Sequence, residues 1–156
     1  MFTKILIPLD GTLGSEAAML PAVEVAKRFD ADVVLLEVTP GYGQLLGATA
    51  AEQFGSQGSV AAAAEVAVAA ETAASAYLDA IRSEYGSLRW QTIVAEGNSA
   101  DAIVEQARAL DVNLIVMATH ARSGLKRLFI GSVAEDVIRK CGIPVLVVHA
   151  DDSDEE

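Results

Sequence analysis

Short runs of wholly apolar residues constrain this chain more than any other feature. Lys4-Ile5-Leu6-Ile7-Pro8-Leu9, Asp32–Val38 (DVVLLEV) and Asn113–Thr119 (NLIVMAT) show no apolar–polar alternation. A strand reads that way when both its faces are buried, as in a parallel sheet covered by helices. Helical periods separate the runs. Ala18, Ala22, Val25, Ala26 and Phe29 form one stripe behind Ser15, a candidate N-cap. Pro21 lies inside this helix and should bend it. Residues 59–85 are alanine-rich, with Ala63, Ala67, Ala70, Ala74, Tyr77, Leu78, Ile81 and Tyr85 on one stripe and Gly86 as the stop. Ser99 caps a third helix lined by Ile103, Ala107 and Leu110. A fourth, residues 132–141, turns Val133, Val137, Ile138 and Cys141 inward and ends at Gly142. Trp90–Ala95 and Ile143–His149 bring the strands to five, and Gln91 and Thr92 suit the first of these to a place near a sheet edge. Five strands alternating with four helices predict an α/β fold: a five-stranded, parallel, doubly wound (Rossmann-like) sheet with helices on both faces.

At 156 residues the chain is one domain, expected over 1–150. Residues 39–58 are rich in Gly, Ser, Gln and Ala without a clear period, and predict a long flexible loop with room for a turn of helix. Asp151–Glu156 predicts a disordered acidic tail. A net charge of −11 argues against nucleic-acid and membrane-surface partners. No leader precedes Ile5 and no apolar run reaches the ~18 residues of a membrane span, so a cytoplasmic protein is expected. A single cysteine, Cys141, rules out an intramolecular disulfide.

The acidity is not uniform. Between residues 118 and 140, Arg122, Lys126, Arg127, Arg139 and Lys140 stand against Glu135 and Asp136, a local +3. In this stretch a strand ends at Thr119-His120, a basic loop follows, and Gly131-Ser132 opens a helix. The free N–H groups and dipole of a helix start suit an anion. Ser132 reads either as an ordinary N-cap or as a phosphate-facing hydroxyl. His120 reads as a loop residue or as a phosphate contact. Asp10, at the carboxyl end of the first strand, either forms the turn before Gly11 or accepts bonds from a ribose hydroxyl. In doubly wound sheets ligands bind beyond the carboxyl ends of the strands, where the winding reverses. The sequence shows no GxxxxGK[ST] loop, no His/Cys metal spacing and no nucleophile elbow, so an enzyme is not expected.

ILIPLD at the start, EGNSADAIVEQARALDVNLIVMATH in the middle and MATHARSGLKRLFIGSVAEDVIRKCGIPVLVV at the end resemble the universal stress protein family over nearly the whole chain. The resemblance implies strand order 3-2-1-4-5 and an adenine-nucleotide site. ATP-binding members carry Gly-x-x-Gly, nine residues, then Gly-Ser/Thr. The matching positions are Ala118, Ala121, Gly131 and Ser132, so alanine replaces two of the three glycines. Thr119, His120, Arg122, Ser123, Gly124 and Val133 follow the family. The resemblance further places Pro8, Asp10, Val38 and Met117 around adenine and ribose, and Ala118–Arg122 with Gly131–Val133 around phosphate. It implies ATP or another adenylate as the ligand, Mg2+ as its companion ion, and a homodimer through the fifth strand, 143–149. Slow ATP hydrolysis or autophosphorylation is an incidental activity of some relatives. A nucleotide-free dimeric interaction module of the same family is the alternative reading.

Overall fold

The computed structural model describes residues 1–45, 47, 57–120 and 130–150. Ala121, Arg122, the rest of the basic loop, half of the 39–58 segment and the acidic tail lie outside the described residues.

Strands β1 (Lys4–Leu9), β2 (Asp32–Thr39), β3 (Trp90–Glu96), β4 (Leu114–His120) and β5 (Val145–Ala150) form one sheet in the order β3-β2-β1-β4-β5. Every adjacent pair is parallel. Helix α1 (Leu13–Glu16) and helix α2 (Met19–Phe29) follow β1, α3 (Gln57–Glu84) precedes β3, α4 (Ser99–Ala109) precedes β4, and α5 (Ser132–Cys141) precedes β5.

The sheet separates two apolar cores, which is why its central strands are apolar throughout. Ile5, Ile7, Leu9, Val33, Leu35 and Val116 pack with Met19, Ala22 and Ala26 of α2 and Leu78 and Ile81 of α3. Leu6, Val34, Leu36, Ile115 and Met117 pack with Ile103 and Ala107 of α4 and Val137 and Cys141 of α5. At ~25 cal/mol per Å² of apolar surface, each fully buried Ile or Leu contributes ~1.5–3 kcal/mol. The side chains of Ile5, Leu6, Ile7, Leu35, Leu36 and Ile115 are wholly buried, so the β1–β2–β4 centre is the stiff platform from which the loops project.

Several local readings change. The helix expected from Ser15 is two helices. Thr12 caps α1: its hydroxyl accepts from Ser15 N at 3.2 Å. Ser15 lies inside α1, buried, and its hydroxyl donates to Thr12 O at 2.8 Å. The chain turns at Ala17-Ala18, and Pro21 becomes the third residue of α2. In a first turn the missing N–H has no intrahelical partner to lose, so Pro21 marks a helix start, not a bend. Asn98, not Ser99, caps α4, accepting from Asp101 N at 3.1 Å. On α5 the buried residues are Ala134, Val137 and Cys141, whereas Val133 and Ile138 are exposed. The alanine stripe of α3 does face the sheet, with Ala63, Ala74, Leu78 and Ile81 buried. That helix starts at Gln57, inside the segment expected to be a loop, and residues 42–45 add a helical turn.

Candidate functional site

From β1 the chain winds one way, to β2 and β3; from β4 it winds the other, to β5. The carboxyl ends of the neighbouring strands β1 and β4 therefore flank the point where the winding reverses, the usual ligand crevice of such sheets. Leu9 and His120 end those strands.

Beyond β1, Asp10 makes a tight turn. Its Oδ1 accepts from Thr12 N at 3.0 Å and from Thr12 Oγ1 at 2.6 Å, and its own N–H donates to Ser15 Oγ at 3.3 Å. Gly11 takes φ +79°, which an L side chain rarely adopts. Asp10 is thus the turn-former, and it also remains exposed at the crevice.

Strand alternation sorts the other expected residues. Met117 belongs to the α4–α5 core and Val38 packs against it. Pro8, two residues from Leu6, falls on that same face. The three residues expected around adenine therefore share one side of the sheet end. Ala118 falls on the opposite face, against the α2–α3 core, and pairs with Val148. Positive φ occurs among the described non-glycine residues at Asp30 and Asp111. Ala118 is therefore an ordinary strand residue, and alanine there costs the backbone nothing. Thr119 returns to Met117's face and is buried. His120 pairs with Ala150 at the strand end.

Gly131 lies at the other side of the loop and is the N-cap of α5, at φ +79° and ψ 143°. Side chains other than glycine's all but never occupy that region. No side chain caps α5 among the described residues. Ser132 is the helix's first residue, exposed, and not its cap; Val133 is exposed beside it. A methyl at Gly131 would lie 3.8 Å from Thr119 Cγ2, an ordinary contact. Backbone conformation, not crowding, therefore requires glycine here. The ten-residue helix therefore starts near the end of β4 with no side-chain cap among the described residues.

Two polar residues near the crevice escaped the sequence reading. Glu37 ends β2's inward run beside Asp10. Burial first, and then the Asp10 charge, pushes its carboxyl above the ordinary 4.5. Its Oε2 is buried without a hydrogen-bond partner among the described residues. Nearby, Tyr77 donates to Glu16 Oε1 at 3.0 Å, and burial with that bond raises the phenol. An acid in an otherwise apolar strand was the available signal. The second residue is His149, whose Nδ1 lies 3.4 Å from Thr119 Oγ1. Its place depends on the β4–β5 register, which no local pattern reveals. Among the described residues no group of three His, Cys, Asp or Glu is placed to hold a metal ion.

Comparison with known proteins agrees with this architecture. The sequence pattern of the Universal stress protein family matches residues 1–149. The universal stress protein MJ0531 of Methanocaldococcus jannaschii is 34% identical over 151 residues, covering 95% of this chain and 82% of that protein. The solved structure of MJ0577 from the same organism is 28% identical, with a TM-score of 0.70 over 98% of this chain and 99% of that one. A universal stress protein from Archaeoglobus fulgidus, solved in complex with dAMP, is 21% identical, with a TM-score of 0.57 over 94% of this chain and 97% of that one.

Proposed function

The chain belongs to the universal stress protein family, a family of stress-response proteins, and on that premise we propose that it binds an adenine nucleotide in the crevice between β1 and β4. The ligand is ATP, ADP or AMP. The observation that carries this reading is Gly131: a glycine-only conformation at the start of α5, where no side chain caps the helix among the described residues. Free N–H groups at such a terminus donate to phosphate oxygens, and the dipole favours their charge. Basic residues of the 122–127 stretch add to that attraction on a chain of net charge −11. On this reading Asp10 accepts from ribose hydroxyls, and Pro8, Val38 and Met117 line the base. The dAMP complex shares this fold and supports an adenylate as the ligand class.

The chain acts as a sensor or regulator in the cytoplasm and not as an enzyme. Mg2+ would enter on the nucleotide's phosphates. The working unit is a homodimer through β5, which lies at the sheet edge with Leu146 38% exposed. An exposed apolar edge is an association site.

A nucleotide-free dimeric module is favoured by one observation: alanine at position 121, where ATP-binding relatives carry glycine. Ala118 gives no support to it, being an ordinary strand residue. Calorimetric titration with ATP, ADP, AMP and GTP separates the two. Saturable adenylate binding with GTP excluded is the expected result. Silence for every nucleotide to millimolar concentration leaves the interaction module.

A further inference from the structure

Thr119 is 4% exposed, and among the described residues its hydroxyl has one polar contact across strands, to His149 Nδ1. A buried hydroxyl without a partner is costly, so this contact fixes the Thr119 rotamer. The register makes the pair: Thr119 and His149 are direct partners in the parallel β4–β5 ladder, so both side chains rise from the same face. That face is the one α5 covers. The methyl and Cβ of Thr119 in turn face Gly131, 3.8 and 3.9 Å from the point where a side chain on it would begin. His149, Thr119 and the glycine that opens α5 thus stand in series.

We propose that His149 is a positioning residue for the phosphate end of the site: it holds Thr119, and Thr119 holds Gly131 in the conformation that presents the α5 N–H groups. The inference rests on the adenylate reading for its ligand, but not for its structural core. The imidazole is exposed and sits on the edge strand, outside the crevice. Its role is therefore exerted through Thr119, without touching the nucleotide. With the ring proton on Nε2, the Thr119 hydroxyl donates to Nδ1; the reverse holds in the other tautomer.

The test uses the full chain and ADP as the probe. His149→Ala and Thr119→Val should each weaken ADP by about fivefold or more, the effect of one unsatisfied buried hydroxyl or one lost brace. The double variant should be no weaker than the worse single, because both break one linkage. His149→Asn places a polar atom where Nδ1 stands and should return affinity to within about twofold of wild type. His149→Gln extends its polar end to the Nε2 position and should not rescue. Wild-type affinity in His149→Ala, or additive losses in the double variant, would overturn the proposal. Amide spectra of the ligand-free proteins provide a second readout. His149→Ala should shift the Gly131 amide and speed its hydrogen exchange, and His149→Asn should not. If wild type binds no ADP, the adenylate reading falls while this readout still decides the linkage. An unmoved Gly131 amide in His149→Ala then refutes it.

Discussion

Replacing Gly131 with alanine is the sharpest perturbation of the proposed site. The residue holds φ +79° and ψ 143°. A residue with a Cβ in this sparsely populated region stores ~1–3 kcal/mol of strain. Space does not add to it, since the nearest atom to the new methyl would be Thr119 Cγ2 at 3.8 Å. The strain can relax by moving the backbone at the start of α5, because Ile130 before it is exposed and the core contacts of α5 begin at Ala134. Expressed as a population, ~1–3 kcal/mol is roughly a fivefold to hundredfold loss of the native N-cap conformer at ~1.4 kcal/mol per tenfold. Nucleotide affinity should fall by the same factor. Gly142, the C-cap of the same helix, is the control. It sits at φ +65° and ψ 7°, with open space around it. Gly142→Ala costs ~1–2 kcal/mol of left-handed strain. It should lower the thermal midpoint while leaving nucleotide affinity within about twofold. Calorimetric titration with ADP, paired with thermal unfolding, reads both effects. Unchanged affinity in Gly131→Ala, in a folded protein, would refute the idea that this glycine presents the anion-binding N–H groups.

Asp10→Asn keeps the acceptor that holds Thr12, so α1 should stay capped while the charge toward ribose is lost; the expected cost is ~1.5–3 kcal/mol of binding, and equal affinities would remove Asp10 from the site. Asp10→Ala mixes that loss with the loss of both Thr12 bonds and should also lower the thermal midpoint. Ala121→Gly should tighten ATP by about tenfold if alanine strains the loop there; unchanged affinity would show that alanine fits. Glu37 supplies a pH prediction. Its folded pKa is raised, so the folded state holds the proton more tightly than the unfolded chain. Its contribution is complete below the ordinary 4.5 and is lost as pH rises through the raised value. Glu37→Gln should remove that slope in denaturant unfolding between pH 4 and 8, and parallel curves for variant and wild type would contradict the assignment. Leu146→Arg, at an exposed position of the edge strand, should leave a monomer at micromolar concentration in sedimentation equilibrium where wild type is expected to be a dimer. A monomeric wild type would end the β5 dimer proposal.

The fold was legible because two-face burial leaves a plain trace. Ile5–Ile7 and Val33–Leu36 have no polar alternation to hide the strands, and the glycines at 86 and 142 take the positive φ expected of helix stops. The strand order came from the family resemblance, not from periodicity. Local caps were read less well. Serine at 15, 99 and 132 looked like a cap in each case, yet Thr12, Asn98 and Gly131 cap instead. Ser, Thr, Asn and Gly have similar capping strength, so composition alone cannot place a cap to within one or two residues. The inner face of α5 was rotated by about one residue for the same reason: its start sets the phase. The site itself was half legible. Asp10 and Gly131 could be named because each follows a strand or precedes a helix. Glu37 and His149 could not, since their significance comes from neighbours 27 and 30 residues away in sequence, across strands whose register is a tertiary property.

The most direct test of the adenylate site is an amide-resolved titration of the full chain with ATP. The resonances of Gly131, Ser132, Asp10 and Gly11 should move together and saturate on one curve, while those along the outer face of α3, such as Val66 and Val68, stay fixed. Resonances unmoved to millimolar ATP, or saturation confined to residues away from the β1–β4 crevice, would contradict it.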